Sequence, residues 1–246
     1  MNHGCTYSER IDRRDQGVSL VEYLTQRYTH SSGADWRARI QAGRVLVEGR
    51  PGDPEAILQH GQTVSWVRPP WEEPPVPLCY AVLFEDADLV AVAKPSGLPT
   101  MPNGGYLEHC LLSRVRQRYP EATPAHRLGR GTSGVVLFAR TPLAMRGLAA
   151  LWRDHRAEKV YRALVTGHPT LDAFTVATPI GPVAHGRLGT VHAASAAGKA
   201  STSHVRVLAR RAEGSLVEVR IETGRPHQIR IHMAACGHPL VGDPLY

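Results

Sequence analysis

The stretch His126-Arg-Leu-Gly-Arg-Gly-Thr-Ser-Gly134 runs directly into the apolar segment Val135-Val-Leu-Phe-Ala139. A short, continuous apolar run that follows a glycine predicts a buried strand. The turn before it combines basic and hydroxyl side chains, and such turns expose backbone N–H groups that bind anions. Two similar turns are Lys94-Pro-Ser-Gly-Leu-Pro99 and Glu222-Thr-Gly-Arg-Pro-His-Gln-Ile-Arg230. Each turn alone is a weak signal, because Gly, Ser and Thr are common in loops.

Strands and isolated helices surround these turns. Lys159–Gly167 alternates as a strand, with Tyr161, Ala163 and Val165 on one face. Thr141 is a candidate cap for a helix that begins at Pro142, and a second helix is predicted from Pro226 to Gly237. Many strands without regular βαβ alternation predict an α+β fold with a mixed, largely antiparallel sheet and flanking helices. The residues predicted on one face of the first helix are Leu148, Leu151, Trp152 and His155.

The chain divides at a proline-rich stretch. Proline lacks an N–H donor and restricts the residue before it, so residues 69–78 predict an extended linker. Residues 1–16 are polar and predict an N-terminal tail. Residues 17–68 predict two small helices followed by short strands, with Gly43 ending the second helix. Residues 79–246 form the larger predicted domain.

The charge of the 246 residues favours a polyanionic partner. Lys and Arg total 29 against 22 Asp and Glu, which gives a net charge of +7, and only three of the basic residues are lysines. The first 70 residues carry nine basic and eight acidic side chains, so most of the excess lies beyond them. Phosphate binding releases counterions and would use this charge. The competing explanation is a GC-rich genome, which favours arginine codons.

Other classes of protein are disfavoured. No apolar run approaches the ~18 residues of a spanning helix. The first residues lack the apolar region of a signal peptide, and the four cysteines are widely spaced, which predicts reduced thiols in a cytoplasmic protein. The 13 histidines form no HExxH or similar signature, so no metal site is predicted.

The segment 17–68 resembles an S4 RNA-binding domain. The resemblance lies in the order of its helices, in IQAGRVLVEGR at 40–50 and in LQHGQTVSW at 58–66. It implies that the second helix and the following turn lie on the RNA backbone. The alternative is that the charges of this helix are simply solvated. The residues implied to bind RNA are Arg37, Arg39 and Arg44.

The three turns, with EKVYRALVTG at 158–167 and GKASTSHVRVLAR at 198–210 between them, resemble the RluA-type pseudouridine synthases. The resemblance extends from about Tyr80 to Tyr246. It implies an enzyme that isomerises uridine in rRNA or tRNA. The family breaks the N1–C1′ bond, turns the base and rejoins it through C5, with neither metal nor organic cofactor.

The resemblance also implies roles for single residues. Arg127 would help to bind and flip the target nucleotide, Tyr161 would pack against the uracil, and Arg225 would pair with a catalytic aspartate. Without the motif, Tyr161 would be read as an ordinary half-buried strand tyrosine. Lys94 is expected to be architectural. Further residues implied to contact RNA are His126, Thr132, Ser133, His227, Gln228 and Arg230.

Two departures from the family pattern stand out. Gly129 occupies the position of the family's aspartate, so Arg225 should find another anion, such as RNA phosphate or Asp154, or face water. The sequence also ends at Tyr246, earlier than the family usually does. The alternatives are a catalytically inactive RNA-binding homologue, or an unrelated RNA-modifying or nucleotide-binding enzyme. The expected state is a monomer.

Overall fold

The computed structural model describes residues 1–246 and divides the chain into two compact units. The first unit comprises Met1–Ala81, Ala93–Pro120 and Arg130–Val135. The second comprises Val82–Val92, Glu121–Gly129 and Val136–Tyr246. Each unit is therefore built from several separate segments of the chain.

The strands form four sheets, with the orders β1-β4-β2-β3, β5-β6-β8-β7, β10-β13-β14-β9 and β11-β12. The helices are α1 Leu20–Arg27, α2 Gly33–Gln41, α3 Leu111–Arg116, α4 Pro142–Arg153 and α5 Gln228–Ala235. The strands are β1 Cys5–Arg10, β2 Val45–Val47, β3 Arg50–Pro51, β4 Thr63–Arg68, β5 Ala81–Glu85, β6 Leu89–Lys94, β7 Thr123–Pro124, β8 Gly134–Ala139, β9 Val160–Val165, β10 Ala173–Val176, β11 Ile180–His185, β12 Gly189–Ala194, β13 Ser203–Arg211 and β14 Gly214–Ile221.

The first 68 residues have their own core within the first unit. Helix α1 is capped by Ser19, and α2 begins with a capping box between Ser32 and Asp35. Helix α2 ends as predicted before Gly43, whose φ of +69° suits glycine. The helices pack on the sheet through buried apolar side chains, which are Leu20, Val21, Leu24, Trp36, Ile40, Val45 and Val64.

The expectation of a polar tail over residues 1–16 is wrong, because Cys5–Arg10 form a strand. Strand β1 pairs antiparallel with β4, from Cys5 opposite Arg68 to Arg10 opposite Thr63. It is an edge strand that is exposed over much of its length, so its sequence is polar and lacks the apolar alternation of a half-buried strand. Pairing with β4, a non-local contact, determines its conformation.

The proline-rich stretch has no regular secondary structure, yet it is anchored within the first unit. Glu73 is buried, and its carboxylate accepts hydrogen bonds from the backbone N–H groups of Leu107, Glu108 and His109 and from the Asn2 amide. Burial raises the pKa of Glu73, but these hydrogen bonds outweigh burial and bring the pKa to about 2. The stretch is therefore extended but fixed at Glu73.

The largest sheet of the second unit pairs β10, β13, β14 and β9 antiparallel in that order. The predicted alternation of β9 is confirmed: Val165 is buried and Tyr161 packs on the same core, whereas Val160 and Leu164 are exposed. Helix α5 contributes Met233 to this core. Antiparallel sheets with few helices confirm the predicted α+β class.

The predicted helix boundaries need two corrections. Thr141 caps α4 at Pro142 as predicted, but the helix ends at Arg153, and His155 has a left-handed φ of 54°. His155 therefore does not continue the helical face. Helix α5 begins at Gln228 rather than at Pro226, because His227 also adopts a left-handed conformation.

Candidate active site and RNA-binding surface

The predicted site residues of the second unit are concentrated around the start of α5. Gln228 is buried and organises the turn that precedes the helix. Its Oε1 accepts hydrogen bonds from Thr223 Oγ1 at 2.8 Å and from the Arg225 backbone N–H at 3.0 Å. Its Nε2 donates to the Thr202 carbonyl and to Ser203 Oγ. The side chain of Gln228 therefore supports the turn from within the protein.

Below Gln228 lies a buried polar network. Ser203 Oγ also contacts His232 Nδ1 at 2.9 Å, and His232 Nε2 lies 2.9 Å from the Thr178 carbonyl and 3.0 Å from Ser201 Oγ. Burial lowers the pKa of His232, which favours the neutral imidazole. A satisfied network of this kind holds the turn rigid. No single sequence motif predicts it, because its members come from three separate segments.

Arg225 is half-exposed, and its Nε donates a hydrogen bond to the Ala200 carbonyl at 3.0 Å. It forms no ion pair with a carboxylate. Asp154, suggested as a substitute anion, pairs instead with Arg153 at 3.6 Å. Arg225 thus follows the expectation that it faces solvent in the absence of an aspartate. Its remaining N–H donors are available to an anion.

Tyr161 lies on β9 and is half-buried, and it packs against the same core as Ile229 of α5. Burial raises the pKa of its phenol, so the hydroxyl is protonated at neutral pH. Tyr161 and the first turn of α5, which follows the predicted arginine turn, therefore pack on the same core. The structure brings these two parts together within the second unit.

The other residues of the α5 region are held by the last residues of the chain. Arg230 forms a two-bond ion pair with Asp243, at 2.5 and 2.7 Å. The pair and backbone N–H groups lower the pKa of Asp243 to about 2. His227 Nδ1 contacts the Tyr246 hydroxyl at 2.9 Å. Burial and the nearby Arg230 lower the pKa of His227. Arg230 is thus engaged in an ion pair, and His227 presents a ring that favours the neutral form.

The turn at 126–134 contributes residues to both units. In the second unit, the His126 ring stacks on Trp152 with centroids 5.1 Å apart, and its Nε2 accepts a hydrogen bond from the Leu137 N–H. Burial lowers the pKa of His126. Arg127 and Gly129 are exposed. His126 therefore anchors the turn to β8, and its exposed neighbours face solvent.

In the first unit, Lys94 fixes the residues that follow Gly129. Its ammonium is buried and donates to the carbonyls of Pro95, Leu98 and Arg130 at 2.9, 2.7 and 3.2 Å. Desolvation lowers the pKa of Lys94 to about 8. The Gly97 N–H also donates to the Arg130 carbonyl. These contacts confirm the architectural role expected for Lys94.

The remaining residues of the first unit that were predicted to contact RNA lie either in the turn next to Lys94 or within residues 17–68. Ser96 Oγ donates to the Gly131 carbonyl at 2.7 Å, just before Thr132 and the exposed Ser133. On α2, Arg37 pairs with Glu55. The two remaining predicted RNA contacts of the N-terminal segment are Arg39, whose guanidinium lies over the Trp36 ring, and Arg44, which is exposed.

None of the helices has the length and apolar character that a bilayer-spanning helix requires. No three His, Cys, Asp or Glu side chains are grouped as they would be around a metal ion. The polar groups of the site are instead arginines, a tyrosine and backbone N–H groups.

Comparison with known proteins identifies the family. Residues 88–235 match the RNA pseudouridylate synthase family. An uncharacterized RNA pseudouridine synthase of Synechocystis is 44% identical over 92% of this chain and 79% of its own length. The ribosomal large subunit pseudouridine synthase D of Neisseria meningitidis is 33% identical over 93% of this chain and 62% of its own length.

Among solved structures, human RNA pseudouridylate synthase domain containing 1 aligns with a TM-score of 0.59 and 26% identity, covering 70% of this chain and 71% of its own. The alternative of an inactive RNA-binding homologue depended on Gly129, and the named synthases among the relatives do not support it. The chain belongs to the RNA pseudouridine synthase family and is an isomerase that converts uridine to pseudouridine in RNA.

Proposed function

We propose that the substrate is ribosomal RNA of the large subunit. The Neisseria relative is named for that substrate and aligns over nearly the whole chain. Structured tRNA is the other substrate that the resemblance implied, and it serves as the comparison RNA in the tests below. We also propose a monomeric, cytoplasmic enzyme that requires no cofactor. The net charge of +7 supports the RNA partner.

The catalytic centre that we propose uses Tyr161, Arg225 and Arg127. The observation that carries it is the half-buried Tyr161 on the same core as Ile229 and Met233 of α5, the helix that follows Arg225, whose guanidinium has no carboxylate partner. The Tyr161 ring provides an apolar face for the uracil, and a ring held by a core loses little entropy on binding. Arg225 offers N–H donors to the negative charge of the substrate. Exposed Arg127 contacts the backbone of the flipped nucleotide.

Gly129 supplies no reactive group at the position of the family aspartate. Isomerisation through bond cleavage and rejoining gains from an anionic oxygen that attacks the substrate or accepts a proton. In this chain the site contributes positioning of the base and the positive charge of Arg225. Because residue 129 supplies no anionic oxygen, we expect the rate of isomerisation to depend on which residue stands at this position.

Tyr161 gives a direct test of the proposed centre. Tyr161→Ala should lower kcat/KM by roughly 5- to 100-fold, because stacking of a base on an aromatic ring contributes ~1–3 kcal/mol. Tyr161→Phe should stay close to the unmodified enzyme, since its raised pKa gives the hydroxyl no role as a base at neutral pH. The measurement is release of tritium from RNA labelled at uridine C5, because rejoining at C5 displaces that hydrogen.

The matched control is Val160→Ala, on the exposed opposite face of β9. It should retain activity near that of the unmodified enzyme. If Tyr161→Phe lost as much activity as Tyr161→Ala, the hydroxyl rather than the ring would be the working group. The proposed role of the ring would then be wrong.

We propose that residues 17–68 form an S4-like RNA-binding domain, joined by the anchored stretch 69–78 to a synthase domain over 79–246. Helices α1 and α2 followed by short strands support this assignment. Within it, Arg44 is exposed at the turn after α2. Arg37 and Arg39 lie on α2, the helix that the resemblance places on RNA backbone. Thr132, Ser133 and His227 are proposed to contact RNA from the synthase domain.

A further inference from the structure

A group of aromatic rings lies at the margin of the N-terminal core. Tyr7 on β1 stands opposite Trp66 on β4, and the rings stack with centroids 5.4 Å apart and an interplanar angle of 24°. The His30 ring lies 6.1 Å from Trp66 at 32°. The Arg39 guanidinium lies 5.2 Å from the Trp66 centroid. We call Tyr7, His30, Arg39 and Trp66 the ring patch.

The ring patch differs from the core beside it in its exposure. Trp36 is fully buried, 5.0 Å from Trp66, and completes the core. Tyr7 is 43% exposed and His30 is also exposed. Core packing explains Trp36, but it does not explain aromatic rings gathered on the solvent side of Trp66. Exposed aromatic surface of this kind marks a site of interaction.

Charge alone gives this segment little affinity for RNA. Residues 1–70 of the chain carry a net charge of only +1. Arg27 pairs with Glu9, and Arg37 pairs with Glu55. Arg39 instead lies over aromatic rings, where a guanidinium and a ring together form a flat, positively charged surface. Unpaired bases stack on such surfaces, and stacking needs no excess charge.

We propose that the ring patch stacks an unpaired base of the RNA substrate. The proposal deepens the proposed RNA binding by residues 17–68, with which Tyr7 is joined through the pairing of β1 with β4, and rests on it. The arginines are expected to contact the RNA backbone. The proposal adds a stacking contact between a base and the rings of Tyr7 and Trp66. It therefore predicts that the N-terminal segment prefers single-stranded over double-stranded RNA, because paired bases do not offer their faces.

The test measures the affinity of the full-length chain for a short single-stranded RNA and for a duplex of the same sequence, over a range of salt concentrations. Tyr7→Ala should weaken single-strand binding roughly 5- to 100-fold without changing the slope of log Kd against log salt. Tyr7→Phe should bind like the unmodified protein. Thr6→Ala, at the neighbouring position whose side chain lies on the other face of β1, should also bind like the unmodified protein. Thermal unfolding of each variant shows whether it is folded.

The outcomes separate stacking from backbone binding. Arg44→Gln should lower the slope of log Kd against log salt by about one. An unchanged slope would contradict the binding of RNA backbone by residues 17–68. The test of stacking depends on Tyr7 and is separate from this result. Unchanged single-strand affinity of Tyr7→Ala would overturn the ring patch. An equal loss on the duplex, or a loss shared by Tyr7→Phe, would overturn it too, since neither is a property of base stacking.

Discussion

Replacing Gly129 with aspartate should raise the rate of pseudouridine formation by roughly 100-fold, the scale of a well-placed acid–base group. Gly129 is exposed and does not adopt a positive φ, so its backbone conformation is one that residues other than glycine also adopt. The new carboxylate would supply the anionic oxygen that the site lacks.

The matched control for this gain is Gly131→Asp. Gly131 lies in the same turn, is exposed, and has no atom within 4 Å of an added Cβ. It changes the net charge by the same amount without changing residue 129, so its rate should not rise. Single-turnover rates with saturating enzyme separate chemistry from RNA binding. A Gly129→Asp rate equal to that of the unmodified enzyme would show that position 129 is not where this enzyme uses an anion.

Lys94→Met should lower the free energy of unfolding by about 3 kcal/mol and reduce activity with it. Methionine is similar in length but donates no hydrogen bond, so the carbonyls of Pro95 and Leu98 lose the ammonium donor. Leaving two buried acceptors unpaired costs ~1–3 kcal/mol each, and removing a buried charge offsets part of that cost. The Arg130 carbonyl keeps its hydrogen bond from Gly97. Denaturant unfolding measures the change.

The dependence on pH gives a second signature of Lys94. The unfolded chain keeps the Lys94 proton up to its ordinary pKa of 10.5, whereas the folded chain loses it at a pKa of about 8. Because the unfolded state binds more protons in this window, this lysine makes the free energy of unfolding rise between pH 8 and 10.5. Lys94→Met should lack that contribution. Ser96→Ala, which removes one exposed hydrogen bond nearby, should keep it.

If the difference between Lys94→Met and the unmodified protein did not change with pH, Lys94 would not be the buried ammonium described above. If the variant were as stable as the unmodified protein at neutral pH, the three carbonyl contacts would contribute nothing to the turn. Either result would contradict the architectural role of Lys94.

The sequence predicts local structure well where local chemistry decides it. Thr141 and Pro142 mark the start of α4, and Gly43 marks the end of α2, because capping and a left-handed glycine act within a few residues. The alternation of β9 places Tyr161 on the inward face. These features needed no knowledge of distant contacts.

Distant contacts explain what the sequence did not predict. Strand β1 depends on pairing with β4, and the anchored Glu73 depends on N–H groups more than 30 residues away. Helix α3 also escaped prediction, since it has six residues and no side-chain cap at its start. The role of Gln228 inside the turn likewise depends on Thr202 and Ser203.

We conclude that this chain isomerises uridine although residue 129 is glycine. The most direct measurement is chemical mapping of pseudouridine in unmodified large-subunit rRNA after incubation with the purified, unaltered protein, with tRNA as the comparison. We expect pseudouridine at a defined uridine of the rRNA. Salt-sensitive binding of that rRNA without pseudouridine, together with its appearance in the presence of Gly129→Asp, would contradict the claim.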